Sequence, residues 1–424
     1  MKTKTFSAEG YNGGSVTRKD DRTFFCNITV DLHTSHTVSQ AAVEHIYTDM
    51  LLSGAGRYTR EQFIDAVNTL GASVSVNISN SRLTVTSRAL RENAPQLLKL
   101  MEIMFIEPTF LASEIKRAKI QTTNELTEHR EDAKSIAREL FVNELYSKLD
   151  RRYTDTPEAI AKMVDKVTAN DLKKIHEVVL SQHWTVTVSG APDVEELVTS
   201  SIKKCKKDIT LNPILKVHEQ KQRASKVILH NIPSKQNIEF AIGAPLPLTL
   251  HHPDYLPLVF GLNVLGKWGG FTGRLMSTVR EKEGLTYGIY AKTETVGGTE
   301  QGYYRIMTFF APNKAMQGLT STLREIRLIA SKGITQKEYE RFQTILRTQQ
   351  TLLADSLTRS AGTLHGYLCA DFNLKEIEEY RQRLLTVTRK EVNQALKAHL
   401  QPNNLVISGA GPIEKVKKEI QAIL

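Results

Sequence analysis

The chain carries one pattern twice. Residues 185–196 read TVTVSGAPDVEE and residues 404–415 read NLVISGAGPIEK, and setting Ser189 on Ser408 gives an offset of 219. Upstream, Val167-Thr168 and Val387-Thr388 each lead into a polar helical stretch at an offset of 220. Glu114-Ile-Lys-Arg-Ala and Glu338-Tyr-Glu-Arg-Phe correspond at an offset of 224. Three matches in one order at nearly one spacing mark an internal duplication. A duplicated chain of 424 residues has to fold as two similar units of about 200 residues, each large enough to bury its own core. The repeat also makes each half a control on the other.

Within each half, strand patterns come first and helices follow. Phe24, Cys26, Ile28 and Val30 alternate with more polar neighbours and predict a half-buried strand. Ala42, Ile46, Met50 and Val43, Tyr47, Leu51 form i, i+4 rows on a helix over about 37–53, with Gly54 as its C-cap. A second helix is expected from Thr59 to Leu70, stopping at Gly71. Two strands should then flank Asn80-Ser81, and long helices should fill 91–106, 112–147 and 155–181 before a strand at 184–189. The second half repeats the order, with strands at 237–243, 286–293 and 302–310. Its helices are expected at 253–266, to about Val279 after a glycine-rich turn at 267–273, then 313–331 and 335–396. The expectation is an α+β fold of two homologous domains, 1–210 and 225–424, each a mostly antiparallel sheet with helices packed on one face. Residues 211–224, polar and carrying Pro213, read as the linker.

Composition excludes several functions. No run approaches the roughly 18 apolar residues of a membrane span. The start MKTKTFSAEG lacks the apolar core of a signal peptide, so a cytoplasmic protein is expected, or a periplasmic one if a leader has been removed. Cys26, Cys205 and Cys369 have no pairing that suggests disulfides or a zinc knuckle. The net charge of +10 is spread over solvated helix faces and brings no nucleic-acid-binding module with it, so a field attracting acidic or unfolded polypeptide fits better. The glycine-rich turn lacks the Lys-Ser/Thr of a phosphate loop. His33, His36, His251 and His252 have no carboxylate at ligand spacing and read as surface residues.

The stretch Gly273-Arg-Leu-Met-Ser-Thr-Val-Arg-Glu-Lys-Glu-Gly-Leu-Thr-Tyr287, together with the duplication, resembles the pitrilysin, insulysin and mitochondrial-processing-peptidase family, the inverzincin metallopeptidases. The resemblance runs over essentially the whole chain and implies a clamshell half built from two like domains. It also implies a place for zinc. Members hold the metal on His-x-x-Glu-His of a first-half helix plus a Glu roughly 75 residues later, with the motif Glu activating the bound water. Here the gap-free register gives His45-Ile-Tyr-Thr-Asp49, with Thr48 for the Glu, Asp49 for the second His, and Glu125 as the remote ligand. A competing register, which needs a four-residue insertion, sets Glu44-His45 on the motif's Glu-His and leaves Ala41 and Gln121 at the other positions. Neither completes a site, so no metal is expected on this chain.

The second half keeps what the family places opposite the zinc. Arg280 and Tyr287 occupy the positions of an Arg and a Tyr that reach the facing domain's metal centre and clamp the substrate carbonyl, a role suited to two hydrogen-bond donors. Sliding the halves by 213 residues sets Val67 on Arg280 and Val74 on Tyr287, so packing alone does not demand those two polar residues. The resemblance therefore implies a zinc-less subunit pairing with a homologous zinc-bearing one, the two enclosing an extended peptide. The alternative is a non-catalytic scaffold of the same fold that binds proteins without turnover. A metal-dependent homodimer using His45, Asp49 and Glu125 is a third possibility.

Overall fold

The structure is a computed structural model that describes residues 1–32, 35–206, 225–266, 273–294 and 300–424. The proposed linker, His33 and all but Gly273 of the glycine-rich turn lie outside them. The first half runs β1 (Lys2–Ala8), β2 (Tyr11–Thr17), β3 (Thr23–Asp31), α1 (Val38–Met50), the two-residue pair β4 (Gly54–Ala55) and β5 (Tyr58–Thr59), α2 (Arg60–Thr69), β6 (Ser73–Ser79) and β7 (Arg82–Leu90). It continues with α3 (Ala94–Ile106), α4 (Ala112–His129), α5 (Ala133–Leu145), α6 (Pro157–Val164), α7 (Ala169–Ser181), β8 (Trp184–Gly190) and α8 (Val194–Cys205). The second half runs β9 (Lys226–Asn231), β10 (Ile238–Leu246), α9 (Tyr255–Gly266), a π-helical turn (Met276–Lys282), β11 (Ile289–Glu294) and β12 (Gly302–Phe310). After it come α10 (Ala315–Lys332), α11 (Gln336–Ala354), α12 (Leu357–Leu368), α13 (Leu374–Thr386), α14 (Arg389–His399), β13 (Val406–Gly411) and α15 (Lys417–Gln421).

The α+β duplication is plain in the sheets. Strand order is β1-β2-β8-β3-β7-β6 in one and β9-β13-β10-β12-β11 in the other, the same five-strand plan with β1 added on one edge. All pairings are antiparallel except β2 with β8 and its counterpart β9 with β13. The ladders place the repeat two residues away from the match in the text. Gly190 ends β8 opposite Thr17 with φ +150°, and Gly411 ends β13 opposite Asn231 with φ +144°. The true offset there is 221, not 219. Strand side chains alternate with period two, so a two-residue slip keeps every residue on its face and escapes notice in the sequence.

Several helices expected as single rods are broken by caps. Asp132 accepts from the amides of Lys134 and Ser135 at 3.2 and 3.3 Å and starts α5 afresh. Thr168, Asn373 and Thr388 form capping boxes with Asp171, Glu376 and Glu391 that open α7, α13 and α14. Helix α1 stops at Met50, and Gly54 (φ +122°) serves the β4–β5 pair instead of capping the helix. The hairpin was legible: Asn80 and Ser81 both sit at φ +52° between β6 and β7, the left-handed pair a tight two-residue turn requires.

Most helices of each half cover one sheet face, as expected. The other face is covered by a helix from the opposite half. Phe141, Val142, Leu145 and Tyr146 of α5 and the residue after it pack on Ala241, Tyr303, Met307 and Val406 of the second sheet. Reciprocally, Leu357, Ala361, Leu364 and Leu368 of α12 pack on Val16 and Phe25 of the first. Gly14 permits the close approach, since a Cβ there would meet Leu364 Cδ2 at 2.7 Å. Under α12, His365 sits between Thr29 (Nε2 to Oγ1, 2.7 Å) and Thr187 (Nδ1 to Oγ1, 3.0 Å). At one end of the junction, buried Arg151 bridges Asp31 at 2.8 Å and Glu300 at 2.6 Å.

Candidate functional site

Helix α1 begins at Thr37, whose hydroxyl accepts from the amide of Gln40 at 3.2 Å. Its i, i+3, i+4, i+7 face, Ala41, Glu44, His45 and Thr48, borders a cavity of about 400 Å³. The β6–β7 turn, α5, residues 151–155 and, from the second half, Glu294 and Tyr303 complete the walls. Although the His45 side chain is exposed, desolvation by the surrounding walls lowers its pKa. The nearby Glu125 carboxylate opposes that shift and His129 adds to it.

The other ligand positions do not converge with it. Thr48 donates its hydroxyl to the Glu44 carbonyl one turn back, at 2.8 Å. Asp49 is ion-paired with Arg117 of α4. The same guanidinium bonds Glu114 at 2.8 Å, and Gln121 and Ser53 at 2.9 Å each. Glu125 accepts from the Gln121 amide at 3.0 Å. Among the described residues no three His, Cys, Asp or Glu side chains form a group that could hold a metal ion. These residues do not fit zinc: a fixed cation already satisfies Asp49, and the place of the water-activating carboxylate is a hydroxyl bonded to its own helix. In the competing register Ala41 offers no donor, and Gln121 is engaged with Arg117 and Glu125.

Two features of this region are not visible in the sequence alone. Burial pushes the Glu44 carboxyl up to about 7, partly opposed by the Ser81 hydroxyl, and its Oε1 is buried without a hydrogen-bond partner. Its appearance in the competing register was the only signal. His36 is not a surface histidine: it is buried, and its Nε2 lies 2.8 Å from Asp155 Oδ2, a partner 119 residues away that local spacing could not supply. His251 is exposed, as expected, and stacks on Phe372 with ring centroids 4.2 Å apart.

Arg280 and Tyr287 do meet. The guanidinium carbon lies 5.0 Å from the centroid of the tyrosine ring, and Tyr287 is 75% exposed. Neither residue lines the cavity beside α1. The uniform offset of 213 that set valines at these positions is corrected by hydrogen bonds and ladders. In the first half the Ala72 amide closes on Val67, and in the second the Leu285 amide closes on Val279. Val67 and Val279, both buried, are therefore equivalent. Val74 pairs with Ser87, and Ile289 pairs with Thr308 in the matching strand, so Val74 corresponds to Ile289. The valines match core residues. Arg280 instead takes the place of exposed Asn68, and Tyr287 falls in a longer loop with no counterpart; the strand expected from 286 begins at Ile289. Packing still does not demand the pair, but the reason is that both stand outside the core.

Comparison with known proteins gives a consistent picture. A model of the insulinase family (peptidase family M16) matches residues 16–177, and one described as the peptidase M16 inactive domain matches residues 166–346. The non-peptidase homolog YmxG of Helicobacter pylori is 21% identical over 387 residues, 87% of this chain and 84% of its own. A protein described as the uncharacterized zinc protease YmxG of Bacillus subtilis is 23% identical over 304 residues, 70% and 71% of the two chains. Among solved structures, a peptidase M16 inactive domain from Pseudomonas fluorescens superposes with a TM-score of 0.83 at 22% identity, over 97% of this chain and 98% of that one. A protease from Helicobacter pylori gives 0.83 at 15% identity, over 96% and 99%. At these identities the structures speak to the fold.

Proposed function

The chain belongs to the insulinase (M16) peptidase family as one of its inactive, non-peptidase homologues, and from that premise we propose that it is the zinc-less subunit of a two-chain metallopeptidase. In this reading a homologous partner carries the zinc, and this chain sets Arg280 and Tyr287 against the carbonyl of a bound peptide. Guanidinium and phenol donate hydrogen bonds to the oxygen on which negative charge develops, a contribution that matters most where water is excluded. The peptide binds extended, adding to a sheet edge through main-chain hydrogen bonds with weak sequence selectivity.

One observation carries the reading. Tyr287 of the stacked pair is displayed outward, 75% exposed, with Arg280 half-buried over its ring, and both stand apart from the cavity beside this chain's own α1. Donors so placed serve a centre on another molecule better than the lapsed one beside α1. The three cysteines are unpaired, with Cys26 and Cys205 buried, which suits the cytoplasm, and no described helix is long and apolar enough to cross a membrane. The test is to mix the chain with a zinc-bearing relative from the same source and follow peptide cleavage. Stimulation that is lost in Arg280→Ala supports the reading. Stable assembly without stimulation points to the competing one, a protein-binding scaffold, which the non-peptidase description of the Helicobacter relative favours.

A further inference from the structure

Ten residues separate Val279 from Ile289, against seven between their counterparts Val67 and Val74. The second half has therefore gained three residues here. One lies in the helix end, where Glu283 closes on Thr278 and the backbone widens into the π-helical turn of Met276–Lys282. A π-turn of this kind holds one residue more than the α-helical path. The other two lie in the loop Thr286–Gly288, which has Tyr287 at its centre. Arg280 is thus carried at the edge of the widened turn, and Tyr287 by loop backbone the first half does not possess.

That extra loop is tied down by hydroxyl groups. The Gly288 carbonyl accepts from Thr286 Oγ1 at 3.1 Å and from Thr308 Oγ1 at 3.1 Å, while the Gly288 amide donates to Thr286 Oγ1 at 3.2 Å. Thr308 is buried near the C-terminal end of β12. Its counterpart in the first half is Ser87, whose hydroxyl turns to the Cys26 carbonyl across the ladder at 3.5 Å. Strand pairing uses backbone groups in both halves, so it does not explain the loop contact at Thr308. Gly288 leaves room for the turn, since a Cβ there would crowd the Tyr290 ring at 3.0 Å.

We infer that Thr308, acting with Thr286, is a positioning residue: its hydroxyl holds the inserted loop against β12 so that Tyr287 is presented beneath Arg280. This rests on the reading of that pair as a substrate clamp. The test compares Thr308→Val, which keeps the shape and removes the hydroxyl, with Thr308→Ser, which restores it. In the chain alone, amide exchange at Gly288 should accelerate about ten-fold or more in Thr308→Val, leave the β10–β12 ladder protected, and return to the wild-type rate in Thr308→Ser. With a zinc-bearing relative, Thr308→Val should lower kcat for peptide cleavage about ten-fold at nearly constant KM, the pattern of an interaction made mainly in the transition state. Unchanged exchange overturns the anchoring, and faster exchange with unchanged cleavage overturns the positioning role. If Arg280→Ala also leaves cleavage intact, the clamp reading itself fails, and exchange alone then decides whether Thr308 anchors the loop.

Discussion

Arg280 lies over the ring of Tyr287 at 5.0 Å, joining the end of a π-helical turn to a loop two residues beyond its C-terminal glycine. Each residue orients the other, and neither contributes to the core. Arg280→Ala should therefore cut the cleavage rate of a mixture with a zinc-bearing relative by about 100-fold, the effect of removing one preorganised donor. Tyr287→Phe, which keeps the stack and loses the hydroxyl, should cost less. Melting temperatures of both variants should stay at the wild-type value, and steady-state kinetics beside a thermal melt check this.

Arg117 already supplies the positive charge where the family places a metal. Restoring the motif with Thr48→Glu and Asp49→His should therefore leave the chain without stoichiometric zinc, because Glu114 and Gln121 still hold the guanidinium in place. Adding Arg117→Ala should raise the content to about one zinc per chain, now on two histidines and Glu125. Elemental analysis after dialysis against zinc reads the outcome, and zinc binding by the first variant would defeat the explanation.

Glu44 is raised to about 7 in the fold from an ordinary value of 4.5. The folded chain then binds the extra proton between these values, so stability is present below pH 4.5 and is lost as pH rises through 7. Glu44→Gln should stabilise the protein by about 2–3 kcal/mol at pH 8 and hardly at all at pH 4.5. Urea unfolding at the two pH values measures the difference.

His365 behaves in the opposite sense. Burial, with Arg82 adding to it, lowers its pKa to about 4 from 6.5. The neutral ring belongs to the fold, so its contribution is complete above pH 6.5 and disappears as pH falls through 4, a loss of up to about 3 kcal/mol. His365→Gln should flatten the stability profile across that window, as unfolding at pH 7 and pH 4.5 will show.

Exchange of α5 and α12 between the sheets predicts a single unfolding unit. Phe141→Ala should cost about 3–5 kcal/mol and Leu364→Ala about 2–5 kcal/mol, each shifting one transition of the whole chain. A second calorimetric transition belonging to one half would count against this.

How much of this was legible depended on whether the signal was local. Caps and turns could be read: Gly71 at φ +58° and Gly284 at φ +61° end corresponding helices, and Asn80-Ser81 forms its tight turn. Strands whose identity comes from their neighbours could not. The β2 segment YNGGSVT shows little alternation, and it is a strand because β1 and β8 flank it. Thr48 and Asp49 could be picked out on their helix face, yet the pairing of Asp49 with Arg117, 68 residues away, depends on two helices meeting side by side. Three inserted residues defeated a constant offset, so the comparison that set valines on Arg280 and Tyr287 had the wrong partners, and that both stand outside the core was not read from it.

The exchanged helices also constrain how such a chain can change over generations. Residues that have lost their chemistry are usually open to erosion. Here the half that carries Thr48 and Asp49 supplies Phe141, Val142 and Leu145 to the sheet of the half that carries Arg280 and Tyr287, and receives Leu364 and Leu368 in return. Shedding either half would strip the survivor of one wall of its interior, so each half is held in place by what it covers in the other.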